Sequence, residues 1–209
     1  MKISIVGTGM IATEVIKMLR TEAKGIEITS LFTHSNKEKA QALAKANHIE
    51  HIYTDYTQLL REDGADFVYI ALINSVHYAF VHEALEADRN VIVEKPFTMT
   101  VAEAEELAAM ALERKLYLFE AVSPLHTPNF RLVKESLGRI APIHFVQCNY
   151  SQYSSKYDRY LQGDIAPAFD LLSGGGTLND LNVYNINVVT ALFGPPAASR
   201  YFANYGHNG

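Results

Sequence analysis

The first 120 residues of this chain alternate between two hydrophobic periods, and that alternation restricts the fold more than any other feature. Residues 2–6 read as a short buried strand. Residues 10–23 follow with Ile11, Val15, Met18 and Leu19 on one helical face, and Gly25 breaks them. Residues 26–32 read as a second strand, and the Ala- and Lys-rich residues 36–46 as a helix. A weak strand near residues 51–54 and a short helix from Asp55 come next. The run Phe67-Val-Tyr-Ile-Ala-Leu-Ile73 is continuously apolar, which suits a strand covered on both faces. Residues 76–88 read as a helix and 91–93 as a strand. Residues 101–114 read as a helix opened by Thr100-Val-Ala-Glu103, a capping-box pattern, and residues 116–119 close the series. Strand and helix alternating through short connections predict a parallel sheet wound with helices on both faces.

Beyond Glu120 the texture changes. Pro124 and Pro128 interrupt, residues 129–137 read as a helix, and residues 143–150 as a longer alternating strand. Residues 151–168 read as a surface loop. Gly174-Gly175-Gly176 leads into a helix over 177–193, stopped by Gly194-Pro195-Pro196, with a last strand candidate at 198–204. The expected fold is α/β: a doubly wound parallel Rossmann sheet over residues 1–120, then an incomplete α+β domain with a mixed or antiparallel sheet over 121–209.

Composition narrows the function. Hydrophobic residues make up 48% and charged residues 20%, ordinary for a globular chain and unlike disorder. The net charge is -5 and no basic block stands out, which argues against a dedicated nucleic-acid or anionic-membrane binder. No apolar run approaches the ~20 residues of a membrane span. The single cysteine, Cys148, cannot form an internal bridge and reads as a packed thiol. A reducing, cytoplasmic setting is the default. His48 and His51 lack the carboxylates or thiols that would complete a metal set.

Gly7-Thr8-Gly9-Met10-Ile11-Ala12 joins the first strand to the first helix as G-x-G-x-x-A. Gly7 permits the tight turn, Gly9 lets backbone approach a pyrophosphate, and Ala12 lets the helix pack on the strand. The helix N-terminus offers free N–H groups and partial positive charge to the phosphates. At the end of the second strand, where an acid would bind the ribose 2′-hydroxyl of NAD, the chain has Phe32-Thr33-His34-Ser35-Asn36-Lys37. Thr33 and Ser35 can hydrogen-bond a 2′-phosphate, and His34 and Lys37 can supply charge. NADP is favoured, with NAD possible if the pocket tolerates either.

Glu94-Lys95-Pro96 follows the strand at 91–93. The carboxyl ends of the strands in such a sheet face the ligand crevice, although by itself this tripeptide also suits a surface ion pair. On the later helix Thr177, Asp180, Tyr184 and Asn187 are spaced by three, four and three, so they share one α-helical face among apolar neighbours. That stripe either lines a polar cavity or meets solvent. Asp180 could equally complete a capping box with Thr177, and Tyr184 could be a half-buried core aromatic.

These motifs in this order (G-x-G-x-x-A, then Asn74-Ser75-Val76-His77, then Glu94-Lys95-Pro96, then Gly174-Gly175-Gly176-Thr177-Leu178-Asn179-Asp180) resemble the Gfo/Idh/MocA oxidoreductases. The resemblance covers essentially the whole chain. It implies hydride transfer between NAD(P) and a carbinol or carbonyl of a sugar, polyol or related small molecule. It implies that Lys95 hydrogen-bonds the reacting oxygen, that Glu94 contacts the nicotinamide ribose side, and that Asn74 and His77 line the cofactor. Asp180 falls on the family's Asp and Tyr184 on its His/Tyr, while Asn182 replaces the usual Gly. Tyr184 is then the general acid/base, with a cation beside it favouring tyrosinate, and Asp180 orients the substrate or the lysine. Glu120 resembles a family glutamate of mostly structural role. The tyrosines 150, 153, 157 and 160 could stack on a sugar, or cover a sheet edge or oligomer interface.

Two classes of function stay open: an NAD(P)-dependent oxidoreductase, and a cofactor-binding regulator or pseudoenzyme without turnover. Family members are longer than 209 residues and the second domain has few strands, so the chain is expected to be a partial one. Its exposed sheet is expected to form a homo-oligomer.

Overall fold

The computed structural model describes residues 1–206 and divides after Ala121 into two compact units. The first holds strands β1 (Lys2–Val6), β2 (Glu27–Phe32), β3 (His51–Tyr53), β4 (Phe67–Ile70), β5 (Asn90–Glu94) and β6 (Leu118–Ala121). They pair in the order β3-β2-β1-β4-β5-β6, all parallel. Helices α1 (Met10–Thr21), α2 (Lys37–Ala46), α3 (Tyr56–Glu62), α4 (His77–Glu86) and α5 (Val101–Arg114) form the crossovers. This is the six-stranded doubly wound order, and its direction reverses between β1 and β4.

Two cores follow from the two-residue strand period. Val6, Phe32, Val68, Ile70, Val91 and Val93 pack against α3, α4 and α5. Ile3, Ile5, Ile28, Leu31 and Tyr69 pack against α1 and α2. The helix starts come from short polar side chains. Asp55 accepts the Gln58 N–H at 3.1 Å, and Asn36 accepts that of Lys39 at 3.0 Å. The expected capping box is formed, Thr100 accepting the Glu103 N–H at 3.2 Å while the Glu103 carboxylate accepts that of Thr100 at 3.0 Å. The apolar run from Phe67 leaves the strand after Ile70, and Asn74–Val76 form a 3-10 turn ahead of α4.

The second unit holds α6 (Pro128–Ile140), α7 (Tyr157–Leu161) and α8 (Val183–Phe193). Among its described residues none lies in a strand, so the expected strands at 143–150 and 198–204 form no ladder here. A strand's backbone is satisfied only by a partner, and neither segment pairs with one. Phe145 is 79% and Phe202 87% exposed. Cys148 is likewise exposed rather than packed. Residues 151–168, read as one loop, contain α7 and a 3-10 turn at Pro167–Phe169. No helix among the described residues is long and apolar enough to cross a membrane.

The β1–α1 turn is the tightest point of the sheet. Gly7 has φ +123°, and a Cβ there would stand 2.3 Å from the Ala71 carbonyl oxygen. Gly7→Ala is therefore expected to destabilise the chain by about 3 kcal/mol, from strained backbone plus a backbone collision. Chemical denaturation measures this, and a loss under ~1 kcal/mol would show that the turn relaxes.

Candidate functional site at the carboxyl ends of the strands

The carboxyl ends of β1, β2, β4 and β5 bring most of the expected cofactor residues to one edge of the first unit. Gly7 donates its N–H to the Phe32 carbonyl at 3.0 Å. Gly9 is the N-cap of α1 and no side chain caps that end. A Cβ on Gly9 would meet nothing within 4 Å, so the turn faces open space where the first N–H groups of α1 lack side-chain acceptors. Thr8 is half-exposed, Met10 is 63% and Ile11 38% exposed, and Ala12 is wholly buried against β1. The residues fit a pyrophosphate: open room over a glycine, free amides and a positive helix end.

At the end of β2 the structure separates residues that the sequence grouped. Thr33 is only 4% exposed. Its hydroxyl oxygen accepts the Asn36 N–H at 3.2 Å, and its own N–H goes to the Tyr53 carbonyl at 3.0 Å. Its hydroxyl is thus engaged in the turn after β2 and almost wholly buried. His34, Ser35 and Lys37 are exposed, and no carboxylate stands between Thr33 and Lys37.

His77 differs more sharply from expectation. It is wholly buried, so it presents no surface to a cofactor. Its Nδ1 lies 2.8 Å from the Pro96 carbonyl oxygen and its Nε2 3.3 Å from that of Leu72. Burial lowers its pKa, opposed by the two carbonyls and Glu94 and reinforced by Lys95. Asn74, in the turn just before, is half-exposed.

Glu94 and Lys95 are half-buried at the end of β5. The Tyr69 hydroxyl donates to the Glu94 carboxylate at 2.5 Å, tying β4 to β5. The Phe97 N–H donates to the Glu120 carboxylate at 2.9 Å, tying the Glu-Lys-Pro segment to β6. Burial raises the Glu120 pKa, the Phe97 N–H opposes it, Glu94 adds to it and Lys95 opposes it. Lys95 thus sits within electrostatic reach of the Glu120 carboxylate. Tyr69 escaped sequence reasoning. The signal was present, a hydroxyl inside an otherwise apolar strand run.

Asp180 and Tyr184 lie in the second unit. Thr177 is itself helical and caps nothing, so the Thr177–Asp180 capping box does not form. Leu178–Asn182 make a π turn in which the Val183 N–H donates to the Leu178 carbonyl, five residues back. This widened turn breaks the α-helical phase on which the shared face of Thr177, Asp180, Tyr184 and Asn187 depended, and such turns recur at functional sites. Asn187 bonds back to the Val183 carbonyl at 3.0 Å, and the Tyr184 ring lies 5.0 Å from that of Tyr150. The glycine run does admit a close approach, by backbone: a Cβ on Gly175 would be 2.3 Å from the Pro167 carbonyl oxygen. Tyr153, Tyr157, Tyr160 and Phe169 form a chain of ring contacts. Among the described residues no group of three His, Cys, Asp or Glu side chains is gathered to hold a metal.

In a doubly wound sheet the switch point at the carboxyl ends of the strands, with a glycine turn opening the first helix, is where dinucleotides bind, so the fold and turn are those of the Rossmann dinucleotide-binding class. The chain belongs to the Gfo/Idh/MocA family, described as the oxidoreductase family with an NAD-binding Rossmann fold, whose profile matches residues 1–121. It is 33% identical over 203 residues to the uncharacterized oxidoreductase YgjR of Escherichia coli K12, covering 97% of this chain and 61% of that protein. It is 29% identical over 211 residues to scyllo-inositol 2-dehydrogenase (NADP(+)) IolU of Bacillus subtilis 168, covering 100% of this chain and 64% of that one. The crystal structure of scyllo-inositol dehydrogenase from Lactobacillus casei with bound NAD(H) and scyllo-inositol shares the fold. Its TM-score is 0.82 at 17% identity, over 92% of this chain and 56% of that one. The chain spans about 60% of the length of the curated relatives it matches.

The lowered His77 pKa has a direction in stability. The unfolded chain takes up a proton near the ordinary value of 6.5, and the native state takes it up only at lower pH. The contribution of neutral His77 is therefore complete above pH 6.5 and declines as pH falls below it. Urea denaturation at neutral and mildly acidic pH should show a smaller acid loss for His77→Gln than for the unchanged chain. Equal losses would contradict the assignment.

Proposed function

We propose that the chain is the cofactor-binding and active-site portion of an oxidoreductase that transfers a hydride between NADP(H) and a carbinol or carbonyl of a sugar or polyol. The observation that carries this reading is the open, uncapped start of α1 at Gly9, beside the β1–β4 switch point. Gly7, Thr8 and Gly9 form the turn, and Met10, Ile11 and Ala12 the first residues of α1, that would together hold the pyrophosphate. His34 and Lys37, exposed after β2 with no acid beside them, favour a 2′-phosphate and hence NADP over NAD. The relative named for NADP(+) supports that choice, and the NAD(H)-bound relative keeps NAD as the competitor.

When bound, the nicotinamide accepts or gives the hydride. Asn74 and Glu94 flank its ribose side. Lys95 donates a hydrogen bond to the reacting oxygen, and its charge, facing that of Glu120, favours the oxygen's anionic form. Tyr184 takes up or returns the hydroxyl proton, and Asp180 orients the substrate. The inositol dehydrogenases among the relatives support a polyol substrate. Residues 143–150 and 198–204 are read as strand segments of a mixed sheet that pair with another copy of the chain, through which copies associate. Their exposed Phe145, Val146, Tyr201 and Phe202 support this. A cytoplasmic setting accords with the single cysteine. A regulator that binds cofactor without turnover is favoured by one observation, Asn182 inside the widened turn where the family pattern has Gly.

Fluorescence titration should show NADPH binding more tightly than NADH, and no binding of either at millimolar concentration would sink the proposal. Gly9→Ala should keep stability within about 1 kcal/mol and weaken NADPH binding at least ~10-fold, because the added Cβ occupies only phosphate space. Lys95→Ala and Tyr184→Phe should each cut hydride transfer by about 100-fold or more while changing the NADPH Kd little. Turnover by the unchanged chain with any polyol rejects the regulator reading.

A further inference from the structure

We propose that His77 is a positioning residue of the crevice: its ring joins the turn that carries Asn74 to the segment that carries Lys95, through the backbone carbonyls of Leu72 and Pro96. The inference rests on the nicotinamide-dependent reading above and assigns His77 a role different from cofactor contact.

The β4–β5 ladder ends at the Ile70–Val93 pair. Past it, residues 71–73 and 95–97 lie outside the strands; the first stretch leads into the turn that carries Asn74, and the second carries Lys95. The His77 ring lies between them, at the first position of α4, with Nδ1 2.8 Å from the Pro96 oxygen and Nε2 3.3 Å from the Leu72 oxygen. It is wholly buried, so solvent cannot replace either contact. A neutral imidazole carries one N–H. Only one of the two carbonyls can accept from it, and the shorter contact is the one assigned the proton, Nδ1 donating to the Pro96 oxygen while Nε2 lies near the Leu72 oxygen without a hydrogen bond. The side chain thereby locks the carbonyl directly after Lys95 to the rigid start of a helix.

The two amide side chains separate these roles. An asparagine carboxamide nitrogen falls near the place of Nδ1, and a glutamine nitrogen near that of Nε2. The 209-residue chain, His77→Asn, His77→Gln and His77→Leu are compared by three measurements. These are the NADPH Kd from fluorescence, the rate at which acetic anhydride acylates the Lys95 amine, followed by mass spectrometry, and Tm.

His77→Asn should keep the Kd and the Lys95 rate within about threefold of the unchanged chain, since the Pro96 bond persists. His77→Gln and His77→Leu should weaken NADPH binding about tenfold, the weight of one buried hydrogen bond, and shift the Lys95 rate at least ~threefold. Equal behaviour of the Asn and Gln variants overturns the proposal, as does a fall in Tm with unchanged Lys95 rate and Kd, which is a merely structural role. Should Gln and Leu leave the chain unfolded, His77→Asn decides: an unchanged Lys95 rate supports the proposal and an altered one overturns it. If the unchanged chain binds no NADPH, the cofactor reading fails, and the Lys95 rates still test the role of His77.

Discussion

The structure of the first unit depends on one close approach, the Gly7 turn lying against the carbonyl of Ala71. No side chain fits between them. That contact lets β1 and β4 run side by side to their carboxyl ends, with the Ala71 N–H reaching back to the Val6 carbonyl at 2.9 Å. It also puts the reversal of strand order next to the start of α1, where a helix end and a glycine turn both face outward. From there the parallel ladder carries β5 into line, and Glu94 and Lys95 come to the same edge.

Glu94 and Glu120 at this edge are half-buried and His77 wholly so, and burial penalises each of them unless something compensates. The compensation comes from neighbouring elements rather than from solvent. Tyr69 on β4 serves Glu94, the Phe97 amide serves Glu120 on β6, and the Pro96 carbonyl serves His77. The two glutamates beside Lys95 are thus each held by a group from a neighbouring segment, Glu94 by Tyr69 of β4 and Glu120 by the amide of Phe97.

Local signals were legible where the physics is local. The Thr100–Glu103 capping box, the Asp55 cap and the Gly7 turn all lie within a few residues of the groups they satisfy, and each was readable from residue type and spacing. The π turn was not, because apolar spacing over 177–193 accommodates an α-helix equally well and only the hydrogen-bond partner of Val183 tells the two apart. Residues 143–150 carry a clear strand alternation and still make no ladder, since pairing depends on a second segment that the alternation does not specify.

The sequence by itself determined the class of fold in the first 121 residues, the place of the nucleotide turn within it and the family. Hydrophobic period, glycine position and motif order are properties of residue type along the chain. Only the tertiary structure decided which of the motif residues are exposed and which are enclosed. Thr33 and His77 have the chemistry of ligand contacts, yet Thr33 is drawn into the turn after β2 and His77 is enclosed between two loops. Exposure is set by what packs on a side chain from distant parts of the chain, and no local pattern encodes that.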